Sequence, residues 1–96
     1  MAVNVSTALA LVKARLNRLE GDTSLDAYLT ARIKAAEQEI EGTGIATNET
    51  EEDLLDVVDL AVFHYQNRDK MTGMPEWLRM RLRNRWLRQG ARANDP

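Results

Sequence analysis

One histidine, His64, and no cysteine stand among the 96 residues, and this limits the chemistry available. A lone imidazole with no thiol and no suitably placed serine makes neither a histidine-based metal site nor a nucleophilic triad. On its helix His64 falls at the border of the apolar arc, where a hydrogen-bonded boundary residue is expected. Carboxylates are plentiful. Glu37, Glu39, Glu41, Glu49, Glu51, Glu52, Asp53, Asp56 and Asp59 follow one another with no intervening base, and they read as solvated helix faces rather than as a paired acid and base. Gly42-Thr43-Gly44 lacks the strand, spacing and lysine of a phosphate loop, so it is a turn. No catalytic residue, cofactor site or metal ligand is expected, and nothing supports an enzyme.

The remaining charge pattern is more informative. Arg79, Arg81, Arg83, Arg85, Arg88 and Arg92 crowd the C-terminal quarter, against Glu76 and Asp95. The net charge of −2 hides this separation into an acidic middle and a basic end. Only Glu76 is available for local pairing, so these arginines need acids from elsewhere. The run from Glu37 to Asp59 could supply them, within the chain or on a neighbouring copy, and nucleic acid is the competing source.

The elements that carry these groups read as helices. β-Branched and aromatic residues are too few and scattered for a sheet, and two prolines leave long stretches uninterrupted. The first helix is predicted from a Ser6 or Thr7 cap to about Glu20, with Leu9, Val12, Leu16 and Leu19 on one face and Gly21 closing it. The second begins within Asp22-Thr23-Ser24, carries Leu25, Leu29, Ile33, Ala36 and Ile40 as its stripe, and ends at Gly42. Glu37, Glu39 and Glu41 occupy its last turn, where the helix dipole disfavours them and a nearby base would offset the cost. A third spans about Thr50 to Lys70, with Thr50 and Asp53 resembling a capping box. Its wide arc of Leu54, Leu55, Val57, Val58, Ala61, Val62 and Tyr65 marks the central helix, while Leu60 and Phe63 fall outside, beside Asp56 and Asp59. The fourth opens at Pro75 and stops at Gly90. These predict an all-α fold: a small antiparallel bundle of about four helices in one domain over 1–96, with an extended C-terminal helix, a core over about 7–90 and a flexible or partner-bound tail at 91–96. The N-terminus lacks the pattern of a secretory leader and no apolar run approaches the roughly 20 residues of a bilayer span, so a soluble chain made in the cytoplasm is expected.

The fourth helix has two apolar faces. Successive steps of about 100° place Leu78, Leu82 and Trp86 on one narrow strip, Met80 and Leu87 roughly opposite, and Trp77 further round. Arg81, Arg85, Arg88 and Arg92 fill another strip. A domain helix needs one apolar face, so Trp77, Met80 and Leu87 are expected to meet another chain; a fold-back of the tail, or Trp77 packing on the preceding loop, would be the alternative. The interface is expected to include Arg81, Arg85, Arg88 and Arg92, against Glu49, Glu51 and Glu52.

The run Ala61-Val62-Phe63-His64-Tyr65-Gln66-Asn67-Arg68-Asp69 ends an apolar central helix in an aromatic, Asn-Arg and an acid, and Met74-Pro75 follows it. Upstream lie Val12 to Leu16, Asp26 to Leu29 and Ala36 to Gly44. Taken together, these stretches are similar to the central helix and the opening pattern of the head–tail connector (head-completion, or adaptor) proteins of long-tailed bacteriophages, a likeness that covers roughly residues 7 to 80. The helix after Pro75 is longer and richer in Arg and Trp than the family norm. The resemblance implies a virion neck protein made in the host cytoplasm, assembled as a ring that is often twelvefold. Such a ring has the portal above it and a stopper or tail-completion protein below; it extends the DNA channel without specific DNA binding, and no cofactor or membrane is implied. Tyr65, Asn67, Arg68 and Pro75 carry the family motif, and Asn67 and Arg68 suit a fold-maintaining role at a helix C-terminus. Two other classes remain open: a small nucleic-acid-binding regulator that uses the arginines of the last helix, and a dimeric scaffold.

Overall fold

The computed structural model describes residues 3–19, 21–45, 50–70 and 73–93, with the side chains of 89–93 left aside. Among these the chain is all-helical: α1 (Val5–Arg15), α2 (Asp26–Glu41), α3 (Glu51–Gln66) and α4 (Glu76–Ala93), with no strand. No described helix is long and apolar enough to cross a membrane.

Both ends of α1 differ from the expected ones. Asn4 is the N-cap, its side chain accepting the Thr7 N–H at 3.0 Å, so the helix begins ahead of Ser6 and Thr7. It stops at Arg15 rather than Glu20 because Asn17 adopts a left-handed conformation, φ 57°. The Arg18 N–H then returns to the Lys13 carbonyl and the Asn17 N–H to that of Ala14, which satisfies two carbonyls of the last turn. Leu19, expected on the buried face, therefore lies beyond the helix and is 79% exposed. The N-terminal segment is also part of the core. Val3 is buried, and its N–H donates to the buried carboxylate of Glu37 at 2.9 Å.

On α2 the stripe is as expected, with Leu29, Ile33, Ala36 and Ile40 buried and Leu25 packed against them. Its start is later than expected. Asp22 does not cap it but closes the preceding turn, accepting from the Ser24 N–H and hydroxyl. Those two donors, with Arg18 alongside, hold the Asp22 carboxyl below its usual range. In the crowded last turn, Glu39 Oε2 lies 2.9 Å from Nε2 of half-buried His64.

Thr50 caps α3 as expected, accepting the Asp53 N–H at 3.1 Å and donating its hydroxyl to the Asp53 carboxylate. The helix ends at Gln66, four residues short of Lys70. Asn67 Nδ2 donates to the Phe63 carbonyl and Arg68 Nη1 to that of Tyr65, so both side chains complete the last turn. Two residues of α3 reverse their expected places: Leu60 is fully buried and Leu55 is 52% exposed. The reason is that α3 is covered on two sides. α1 and α2 both pack on α3, whose Val57, Val58, Ala61 and Val62 are buried, whereas Asp53 and Asp56 pair with arginines of α4 and Leu60 follows one turn beyond Asp56.

The pairings give the topology. Val3 meets Glu37 and Lys13 meets Asp26, so α1 and α2 are antiparallel. Glu52, Asp56 and Asp59 meet Arg88, Arg85 and Arg81 in reverse order, so α3 and α4 are antiparallel too. Tyr28 and Glu39, three turns apart on α2, contact consecutive residues of α3, so these two helices cross. Pro75 stands just ahead of α4, its carbonyl accepting from Leu78 and Arg79. The expected stop at Gly90 is not used. The helix continues through Gly90 to Ala93, which costs about 1 kcal/mol for the glycine, between stretches of good helix formers. Ala91–Ala93 thus belong to α4 rather than to a tail, and 94–96 lie outside the described residues.

Candidate protein interface on the fourth helix

Two buried leucines, Leu78 and Leu82, anchor α4 to the core. Much of the rest of its attachment is ionic. Arg85, itself buried, places its guanidinium against three acids of α3: Nη1 to Asp56 and Nε to Glu52, each at 2.5 Å, and Nη2 to Asp53. Arg81 bridges Asp56 and Asp59 at 2.7 and 3.0 Å. Arg15 of α1 reaches the other oxygen of Asp59, and Arg88 reaches Glu52. Glu52, Asp56 and Asp59 fall one turn apart on α3, with Asp53 next to Glu52, and Arg81, Arg85 and Arg88 fall one turn apart on α4, so antiparallel packing brings them into register.

Burial pushes the Asp56 carboxyl above its usual range, although Arg85 and Arg81 pull against the rise. For Arg85 burial works against the charge, but the hydrogen bonds it donates to Asp53 and Asp56 more than offset it, and it stays protonated. The acidic middle of the sequence is therefore in large part the internal counter-charge of α4. This corrects the interface expectation for Arg85: a buried guanidinium engaged with three acids offers nothing to a neighbour. Arg81, Arg88 and Glu52 are partly exposed but already paired, and Glu51 is exposed. Glu49 and the side chain of Arg92 lie outside the described residues.

The apolar residues of α4 divide as the helical steps require, with one exception. Trp77, Met80 and Leu87 are 53%, 48% and 50% exposed, on the side turned away from Leu78 and Leu82. Arg81 stacks over the Trp77 ring, 5.2 Å from its centroid. The exception is Trp86, expected on the buried strip but about half exposed. Its indole instead lies across Gly44, where φ is +96° and an added Cβ would stand 3.0 Å from Nε1. A shallow apolar hollow of about 200 Å³ opens there between Thr43, Met74, Arg79, Leu82, Arg83 and Trp86. A second groove, between α3 and α4, is lined by Glu51, Glu52, Leu55, Asp56, Arg81 and Arg88.

At the other end of α3, Tyr65 receives Arg68 over its ring at 4.4 Å and packs edge-on against Tyr28. Arg18 Nη2 donates to its hydroxyl at 3.4 Å. Tyr65, Asn67 and Arg68 therefore all take part in closing α3. No protein-family model matches the chain, and comparison with characterised proteins and with solved structures likewise returns no match.

Proposed function

We propose that the chain is a structural head-completion, or adaptor, subunit. It assembles as a ring beneath a phage portal, extends the DNA channel and gives the stopper or tail its platform. The observation that carries this reading is the half-exposed strip of Trp77, Met80 and Leu87 on the outer side of α4. Covering the remaining half of each side chain would contribute roughly 1 kcal/mol apiece, a gain that a lone domain forgoes. Trp, Met and Arg are also the residues enriched at protein interfaces. The stretches similar to head–tail connectors supply the kind of assembly, and the strip supplies a reason for the chain to assemble.

The test is electron microscopy of purified portal particles mixed with the protein. Trp77→Ala and Leu87→Ala are expected to keep the wild-type melting temperature, because neither side chain is in the core, yet to fail to add a ring. Normal addition by both variants would count decisively against the reading.

The regulator reading is weakened by the same lattice that holds α4. Arg81, Arg85 and Arg88 already have acids, which leaves Arg79 and Arg83, beside Trp86, as the described α4 arginines without an ion pair. With Arg92, whose side chain lies outside the described residues, the arginines of this helix neutralise about three phosphates at most. A plot of log K against log salt for duplex DNA should therefore have a slope no steeper than about −3. A slope near −5 in fluorescence anisotropy would restore the regulator.

A further inference from the structure

We infer that the hollow beside Trp86 is a docking site for an acidic segment of another protein, one that carries a bulky apolar side chain flanked by carboxylates. This goes beyond the ring reading and stands whether or not a ring forms. The hollow measures about 200 Å³ and is lined by Met74, Leu82 and Trp86 together with Thr43, Arg79 and Arg83. An apolar cavity of about 150 Å³ holds a benzene-sized molecule, so the space suits one leucine or phenylalanine side chain. Its wall is fixed in advance. Gly44 takes a φ of +96° and the Trp86 indole lies directly against it, where an added Cβ would stand 3.0 Å from Nε1. The Thr43 hydroxyl already donates to the Ile40 carbonyl at 2.6 Å, so the floor presents mainly hydrocarbon.

Charge at the rim selects the occupant. Arg81, Arg85 and Arg88 each hold a carboxylate of α3, whereas Arg79 and Arg83, both exposed, have none among the described residues. These two stand one turn apart on the hollow's side of α4. Glu41 and Glu76 lie on neighbouring turns of α2 and α4, yet neither lines the hollow or forms an ion pair with them. Two free guanidiniums beside an apolar hollow attract carboxylates placed on either side of the side chain that fills it. A second copy of this chain fits less well, because its exposed apolar residues bring cations of their own. Arg18 precedes Leu19, Arg32 lies over Tyr28, Arg81 lies over Trp77 and shares a groove with Leu55, and Arg83 stands one turn from both Met80 and Leu87. Setting any of these against the hollow would add arginine to arginine. Nucleic acid also fits less well. Two cations hold few phosphates, and the polar edges of a base would lie unpaired over Met74 and Leu82.

Fluorescence titration tests the assignment. In a Trp77→Phe background Trp86 is the one tryptophan left, so its emission reports on the hollow. The probes are the synthetic peptide Gly-Ser-Glu-Leu-Glu-Glu-Ser-Gly and the same peptide with Ser in place of Leu. The leucine peptide is expected to saturate the signal with a blue shift, and the serine peptide to bind about tenfold more weakly or worse. Arg79→Gln/Arg83→Gln should weaken the leucine peptide by about tenfold. Arg79→Glu/Arg83→Glu should transfer the preference to the peptide with lysines in place of its glutamates, a reversal that a merely structural role would not produce. Circular dichroism confirms that each variant folds. No saturation by the leucine peptide at millimolar concentration, equal binding of the two peptides, or arginine variants that bind like wild type would overturn the assignment. So would an oligothymidylate that displaces the peptide and binds more tightly, or self-association in sedimentation velocity that Arg79→Gln/Arg83→Gln abolishes. A chain that adds a ring to portal particles but ignores the peptide leaves the ring reading standing and this site wrong; one that binds the peptide but adds no ring does the reverse.

Discussion

Replacing Arg85 with Met is expected to remove about 3–5 kcal/mol of stability at neutral pH, most of what a domain of this size possesses. The loss is large because of what stays behind. Asp53 and Asp56 are both buried, and without the guanidinium each is left charged in a site closed to water. The deficit should also depend on pH, and the sign follows from Asp56. Burial already pushes its carboxyl up in the wild type, and the variant removes one of the two arginines that oppose the rise. A carboxyl whose folded pKa lies above its unfolded value of 3.8 contributes most to stability below that value, and the contribution fades as pH rises through the folded pKa. The gap between variant and wild type should therefore narrow between about pH 7 and pH 4.5 in urea denaturation. A gap of constant size would mean that Arg85 acts by packing alone. If Arg85→Met does not fold at neutral pH, the triple variant Asp53→Asn/Asp56→Asn/Arg85→Met keeps the argument testable. Removing all three charges together should recover much of the loss, since a buried ion network is costly to break and cheap to replace.

The ion lattice also shows how far the sequence could be read. The need of the α4 arginines for distant acids is visible in composition, and so is the acidic run of α3 as their source. Whether the two meet within one chain or across two depends on how α4 docks, which no local pattern encodes. Arg85 was therefore expected at an interface and is found inside. The same uncertainty misplaced Leu60. A helical wheel with one buried arc puts Leu60 beside Asp56 and Asp59, on the polar side, and that side proves to be covered by α4. Helix ends failed for a different reason. Gly21 and Gly90 are the residues that usually end helices, but Asn17 in the left-handed conformation ended α1 first and Gly90 remained helical. The exposed strip of Trp77, Met80 and Leu87 was legible because it needs only the pitch of one helix and the direction of its buried leucines. Trp86 was not, because its place across Gly44 depends on where the turn after α2 runs.

Leu60 and Leu55 make the second large contrast, and it runs against the helical-wheel reading. Leu60→Ala is expected to cost about 2–5 kcal/mol, since the side chain is fully buried on the face of α3 that meets α4. Leu55→Ala should stay within about 0.5 kcal/mol, because half its surface is already in water. The order of the ion pairs sets Leu60 near the level of Leu78, one of only two buried leucines that anchor α4. The cavity left by Leu60→Ala would then be felt first in the docking of α4, while the arginines keep that helix tethered. Hydrogen exchange should accordingly show the amides of α4 losing protection ahead of those of α1 and α2. Equal costs for the two substitutions, or uniform loss of protection across all four helices, would mean that α4 does not depend on this face. In that case the reason Trp77, Met80 and Leu87 are turned outward would have to be sought elsewhere, because their exposure follows from Leu78 and Leu82 being held in the core.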